Sequence, residues 1–391
     1  MITVEKALQL AQDNIQKTTI TSDILISKSL GYVLAEDILS PIHMPPFRQS
    51  AMDGYALGSI DEKTFTLIGE VKAGDDTDPK LEQGEAIRIF TGAPVPSQAQ
   101  AVIMQEKVTV QNNQVILSEH VVSNANIRPF GEQIKKDDIA LAKGTLMTAA
   151  AIGYLASLGI THIPVYQKPS IAIIATGNEL IPPGQELKYG QIYESNSIML
   201  SSALTKAGFT DISYYKIEDE YDLTLSILET VIDQYDVVLI SGGISVGDYD
   251  FVGKALQALD VEEIFYKVKQ KPGKPLYFAK KQNTNIFALP GNPASSLSCF
   301  YIYVLPSLLK IAGYENHNLT RSTAISANPY QKKGQRAEFL KALIDGNKIT
   351  ILDGQASSML RSFALANAIV YLPEEVTEVN IGDTVTVINL P

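Results

Sequence analysis

One cysteine, Cys299, stands in the 391-residue chain. No intrachain disulfide can therefore form, and most thiolate metal clusters are excluded. Cys299 lies in the apolar run LSCFYIYVL, which reads as a buried core thiol. Four histidines, His43, His120, His162 and His317, are scattered without ligand spacing, which argues against a zinc site and a serine triad. Basic residues are in deficit, with 32 lysines and arginines against 43 aspartates and glutamates and a net charge of -11. A nonspecific phosphate-backbone surface is thereby excluded, no nucleic-acid partner is expected, and any anion site must be local. No G-x-x-x-x-G-K-[ST] occurs and no G-x-G-x-x-G follows a strand, so ordinary ATPase and Rossmann readings are weak. No signal peptide or membrane span is read from the sequence either. The opening MITVEKALQLAQDNIQ carries charge and glutamine throughout, unlike a signal peptide, and the expected location is cytoplasmic. The stretch 145–160 is broken by Thr148, Gly153, Ser157 and Gly159, and reads as a buried helix rather than a membrane span.

What is present is ordinary for a globular chain: 45% apolar and 19% charged residues. The length predicts about two to four domains. Val4, Ala7, Leu8, Ala11 and Ile15 fall at helical spacing. Between 41 and 144, glycine and proline punctuate short runs such as TFTLIGEV, AIRIF, AVIMQEKVTV and NQVIL, a β-rich pattern. An alanine-rich helix follows at 148–158, expected to pack with the first helix and make the β-rich segment an insertion. From 168 strands and helices alternate as in stacked βαβ units, and after 313 the alternating segments TAISA, EFLKALI, KITILD, AIVYLPE and DTVTVINL form a small β domain. The expected parts are a discontinuous helical domain (1–40 plus 145–167), a β-rich insertion (41–144), an α/β domain (168–313) and a C-terminal β domain (314–391).

Three strands run straight into glycine-bearing polar turns: IAIIATGNE, VVLISGGISVGDYD and FALPGNPAS. In a parallel α/β sheet such turns meet at the carboxyl edge, where ligands bind. The second offers Ser241, Gly242 and Gly243 to wrap a polar ligand with backbone N–H groups. The third, with Pro290, Asn292, Pro293 and Ser295, opens a helix whose first N–H groups lack intrahelical partners. Lys271-Pro272-Gly273-Lys274-Pro275 is a stiff dibasic turn in an acidic chain, and its two lysines can face one anion. Glu179, Asp219, Asp248 and Asp250 ring the same edge, a set of hard oxygen ligands suited to Mg²⁺ beside phosphates.

Taken together, RQSAMDGYA, IFTGAPVP, IRPFGEQI, ATGNELIPPG, GQIYESN, SGGISVGDYD, KPGKP and LPGNPAS resemble the molybdopterin molybdenumtransferase family, to which the gephyrin carboxyl-terminal domain is related. The resemblance implies a three-layer α/β/α molybdopterin-binding domain with a mostly parallel sheet, a β-rich inserted domain and a C-terminal β-barrel. It implies an enzyme that takes adenylylated molybdopterin and molybdate and gives molybdenum cofactor and AMP with Mg²⁺. By motif match its catalytic residues fall on Asp53, Thr91, Glu179, Asp219 and Asp250, with Glu179, Asp219 and Asp250 on the metal. The substrate contacts fall on Ser241, Gly242, Gly243, Lys271, Lys274, Pro290, Asn292, Pro293, Ser295 and Arg336, of which Lys274, Ser295 and Arg336 would meet molybdate with a serine of Ser357-Ser358. Implied partners are a second copy of the chain, bringing Asp53 and Thr91 to a site shared between subunits, the molybdopterin adenylyltransferase, and apo-molybdoenzymes. Two motifs depart from the family pattern: Gly131-Glu132-Gln133 where Gly-Glu-Asp is usual, and Thr176-Gly177-Asn178-Glu179 where Thr-Gly-Asp-Glu is usual. The competing readings are the adenylyltransferase itself, a noncatalytic gephyrin-like scaffold, and a general nucleotide-binding protein.

Overall fold

A computed structural model describes residues 1–244 and 251–391. The chain divides into two compact units, one of Met1–Ser22, Gly31–Val33 and Tyr166–Pro391, the other of Asp23–Leu30 and Leu34–Val165.

The second unit is built on six strands in the spatial order Ala101–Met104, Gly54–Leu57, Glu85–Ile89, Thr64–Val71, Gln114–Leu117, Val108–Gln111. Successive side chains of a strand point to opposite faces. Accordingly Ala56, Ile87 and Val102 enter one core while Tyr55, Leu57, Ala86 and Ile103 enter another, so the central strands are buried on both sides. The run AVIMQEKVTV, expected as one extended segment, is two strands split by the short turn Gln105–Lys107 and sent to opposite edges of the sheet. Leu34 and Val165 meet in an antiparallel bridge, and Ile38–Leu39 pairs with Ile139–Leu141, so the chain leaves this unit where it entered.

Helix Ala149–Ser157 departs from the buried helix expected. Leu155 is its one buried residue, and it packs on the turn Ile26–Lys28. Its alanines carry high helix propensity and a Thr148 side-chain cap, so it forms without burying a broad face. The amino-terminal helix Val4–Asn14 finds its partners elsewhere: Val4, Ala7 and Ile15 join the core of the α/β sheet.

That sheet orders its strands Ile212–Ile217, Ile171–Thr176, Val237–Ser241, Thr284–Leu289, Tyr277–Lys281, Glu262–Tyr266, with the first four mutually parallel. Ile171, Ile173, Val237, Leu239 and Phe287 face one core, covered by Leu200 and Leu204 and by the helical run from Pro293 to Ile311. Ala172, Ile174, Val238, Ile240 and Ile286 face the other, covered by Leu228, Val231, Ile232 and Leu256. The result is three layers, α/β/α. Pro293–Ile311 is long and apolar enough to span a bilayer by length and composition, but most of it is buried against the sheet. Chain order makes Ile171–Thr176 and Val237–Ser241 the place where succession reverses, with Ile212–Ile217 laid to one side and Thr284–Leu289 to the other. Crevices form at such switch points.

The C-terminal strands close on themselves: Ala337–Asp345, Lys348–Ile351, Arg321–Ser326, Thr384–Asn389 and Ala368–Leu372, the last pairing back to the first. Closure removes sheet edges and buries Ala324, Leu340, Ile349, Val370 and Val387 inside a five-stranded barrel. A sixth short strand, Gln270–Lys271, adds in parallel to Ala337-Glu338 and ties the dibasic turn to the barrel.

Candidate functional site

A cleft of about 720 Å³ opens at the switch point. Its lining includes Glu179, Asp219, Ser241, Gly242, Gly243, Pro290, Asn292 and Pro293, so the three strand-end turns meet as the sequence pattern predicts. Close backbone approach explains the glycines. A Cβ on Gly243 would lie 2.6 Å from Val252 Cγ2 and 2.7 Å from Thr176 Oγ1, and its φ is +62°. A Cβ on Gly177 would lie 2.7 Å from Glu179 Oε2, so the bare glycine lets that carboxylate fold back over its own turn.

Asp219 and Asn178 exchange bonds: Asn178 N donates to Asp219 Oδ2 at 3.2 Å, and Asp219 N donates to Asn178 Oδ1 at 3.1 Å. The asparagine of the unusual TGNE turn thus fixes the end of strand Ile212–Ile217, and with it the carboxylate, at the cleft. Among the described residues no group of three or more His, Cys, Asp or Glu is gathered for a metal ion. Glu179 and Asp219 nevertheless both face the cleft. Two carboxylates are what Mg²⁺ takes when substrate phosphates supply further oxygens. Asp250, the third expected metal carboxylate, and its neighbour Asp248 lie outside the described residues.

Asn196 and Thr176 were not among the expected site residues. Ser195 and Asn196 are both capping types by chemistry at the start of the helix Asn196–Lys206, but neither side chain caps it. Buried Glu194 does so instead, accepting from Ser197 N at 2.9 Å and from the Ser197 hydroxyl. Asn196 Nδ2 is thereby available to Ser241 Oγ at 2.7 Å and Gly291 O at 2.8 Å, stitching two of the turns together. Its Oδ1 and the Thr176 hydroxyl are buried with no hydrogen-bond partner among the described residues, and both residues line the cleft. Both nevertheless fall in motifs that the sequence singled out, Thr176 directly before Gly177 in ATGNELIPPG and Asn196 at the end of GQIYESN.

The dibasic turn differs from the simple two-lysine cradle expected. Parallel pairing places Glu338 opposite Lys271, and Lys271 Nζ donates to buried Glu338 Oε1 at 3.0 Å. Tyr330 completes the set, donating to Glu338 Oε2 at 2.6 Å. Lys274 is exposed, while exposed Arg336 reaches Gln270 O at 3.2 Å through Nη1. The turn itself is wedged against the helix Pro293–Cys299: a Cβ on Gly273 would lie 2.4 Å from Cys299 Sγ. Cys299 is fully buried, as expected, and burial pushes its thiol far up. Ser295 is buried on the same helix, and its N–H donates to Ser357 O at 3.3 Å. Asn292 occupies the cap position without a side-chain bond, and Pro293 follows at the first turn.

Asp53 and Thr91 sit together in the β-rich unit, both exposed. Asp53 Oδ1 accepts from Thr91 N at 2.7 Å and from Thr91 Oγ1 at 2.8 Å. The backbone bond first, and then the hydroxyl, hold the Asp53 carboxyl below the usual aspartate value. Adjacent Gly54 is obligatory, since a Cβ there would meet Ile103 O at 1.8 Å. Gln133, in the unusual GEQ motif, is exposed on the turn that pairs back to Met44.

Residues 2–159 match the family model for the MoeA N-terminal region (domain I and II), 172–310 that of a probable molybdopterin binding domain, and 323–390 that of the MoeA C-terminal region (domain IV). A molybdopterin molybdenumtransferase of Haemophilus influenzae is 32% identical, with 99% of this chain and 98% of that one covered. Molybdopterin molybdenumtransferase 2 of Mycobacterium tuberculosis is 33% identical over 93% and 94% of the two chains. The solved structure of a molybdopterin biosynthesis moeA protein from Pyrococcus horikoshii OT3 covers both chains completely with a TM-score of 0.85 at 30% identity. With similarity of this extent running through both compact units and the barrel, the chain belongs to the molybdopterin molybdenumtransferase family.

Proposed function

We propose that the chain inserts molybdate into adenylylated molybdopterin, releasing AMP and giving the molybdenum cofactor. The observation that carries this reading is the pair of buried polar atoms, Thr176 Oγ1 and Asn196 Oδ1, that have no partner among the described residues and lie in the switch-point cleft. A buried polar atom left unpaired costs about 1–3 kcal/mol. The N–H edge of a pterin satisfies such atoms, whereas a phosphate, which only accepts, cannot satisfy the amide oxygen.

Glu179 and Asp219 would hold Mg²⁺ at the cleft, with Asp250 as a third ligand. Bound there, the ion would neutralise the phosphoanhydride oxygens. Lys274, Arg336, Ser295 and a serine of Ser357-Ser358 would hold molybdate, while Lys271, paired with Glu338, fixes the shape of the turn that carries Lys274. The work of these groups is electrostatics and positioning. Asp53, kept ionised by Thr91, would reach the cleft of a second subunit in a homodimer. We place the protein in the cytoplasm, with the adenylyltransferase before it and apo-molybdoenzymes after it. The adenylyltransferase reading is disfavoured because the chain carries a β-rich unit and a barrel besides the α/β module.

The test is AMP release from adenylylated molybdopterin, measured with and without molybdate and Mg²⁺. Release that requires both supports the reading. Binding of substrate with no response to molybdate would sink it.

A further inference from the structure

Lys341 lies on the barrel strand Ala337–Asp345 and is only 1% exposed. Among the described residues its ammonium has no carboxylate partner. It donates instead to three carbonyls of one loop: Gly354 O at 2.9 Å, Ala356 O at 3.3 Å and Met359 O at 3.4 Å. An ammonium has three donors, and one short segment takes them all. The backbone of the same residue is clasped in return. Gln355 Oε1 accepts from Lys341 N at 3.0 Å, and Gln355 Nε2 donates to Lys341 O at 2.8 Å.

The clasped loop contains Ser357 and Ser358, and Ser357 O receives the Ser295 N–H. Strand alternation puts Lys341 on the same face as Ala337 and Phe339, which enter the α/β core beside the helix that carries Ser295. A buried charge is a poor source of stability, since a methionine of similar length fills the space without desolvation cost. Burial, with Lys271 nearby, pulls the Lys341 ammonium down to about 8. A side chain kept at that cost, with every donor spent on one loop, is better explained by what the loop does.

We propose that Lys341 is a positioning residue that pins the loop 354–359 against the start of the Ser295 helix and so completes the oxyanion-binding part of the site. The inference rests on the functional reading above and assigns Lys341 no contact with substrate. Without the peg the loop keeps Gln355 and Ser362 as anchors, so the expected damage is to the placement of Ser357-Ser358 rather than to the barrel.

The experiment compares the full-length protein with Lys341→Met by amide hydrogen exchange and by steady-state kinetics in molybdate and in adenylylated molybdopterin. The expected result is faster exchange confined to the loop and a KM for molybdate raised on the order of tenfold to a hundredfold. The KM for adenylylated molybdopterin and kcat at saturating molybdate should stay within about twofold, because positioning is lost only at the oxyanion end. Unchanged loop exchange overturns the proposal. So does faster exchange with an unchanged molybdate KM, which would make Lys341 purely structural. Should Lys341→Met fail to fold, Gln355→Ala opens the other half of the clasp and is read by the same two criteria. A wild-type protein that releases no AMP in response to molybdate overturns the functional reading instead, and the exchange measurement still judges the peg.

Discussion

Thr176 and Asn196 do their work through what they leave unsatisfied. Each is buried at the end or beginning of a regular element, where a polar atom ordinarily has a partner. The Thr176 hydroxyl sits where glycine at 243 is required to make room for it, so the turn is shaped around a group with no partner among the described residues. Thr176→Val keeps the shape and removes the hydroxyl. The unliganded protein should then be as stable or more stable, by up to about 1 kcal/mol, because no donor or acceptor remains to be desolvated. Substrate should bind about tenfold more weakly, since one ligand bond is lost. Chemical denaturation and the KM for adenylylated molybdopterin measure the two effects, and a parallel loss of both would show that the hydroxyl is structural. Asp53 is the contrasting case of a satisfied group: its two Thr91 bonds stabilise the ionised form. Because its folded-state pKa is lowered, that contribution is present above the ordinary aspartate value and disappears as pH falls through the folded one.

Among the elements, the turns were legible in the sequence and their partners were not. Glycine after an apolar strand announces a strand-end turn whatever lies across from it, so ATGNE, SGG and LPGNP could be placed at the carboxyl edge. The Lys271–Glu338 pair joins residues 67 apart through a parallel strand addition that no local pattern encodes. The split of AVIMQEKVTV escaped for the same reason, since period-two alternation marks a strand but says nothing of which neighbour it pairs with. The cap at Glu194 was hidden because Ser195 and Asn196 are the better capping types by chemistry, and only the tertiary bonds of Asn196 divert it. The dibasic turn tests how tightly such an element is set. Gly273 has φ +89° and no room for a Cβ beside Cys299 Sγ. Gly273→Ala should cost about 1–2 kcal/mol for backbone conformation alone, and more for the clash. Adding Cys299→Ala should relieve the contact with Sγ but neither the 2.9 Å approach to Gln270 Nε2 nor the backbone part. Melting temperatures of the two single variants and the double variant separate these contributions, and complete recovery in the double variant would show that the φ value carries no penalty.

For the whole molecule, the question is why a single chain keeps a β-rich unit in addition to an α/β unit that already holds a cleft. The proposed answer is that Asp53 and Thr91 serve the cleft of a second subunit. A two-fold dimer then has two sites, each drawing its acid from opposite chains. Asp53→Asn and Asp219→Asn should each abolish molybdate-dependent AMP release, by on the order of a hundredfold or more, as loss of a preorganised electrostatic group does. The two variants, co-expressed with different tags and purified over both, form a dimer in which one site carries both substitutions and the other carries neither. Such a heterodimer should regain about half of the wild-type rate, because two-fold symmetry leaves one of its two sites intact. If Asp53 instead serves the cleft of its own chain, every site in the heterodimer is defective and no rate returns. Sedimentation of the wild-type protein provides the companion measurement, since a monomer with full activity is incompatible with a shared site whatever the complementation result.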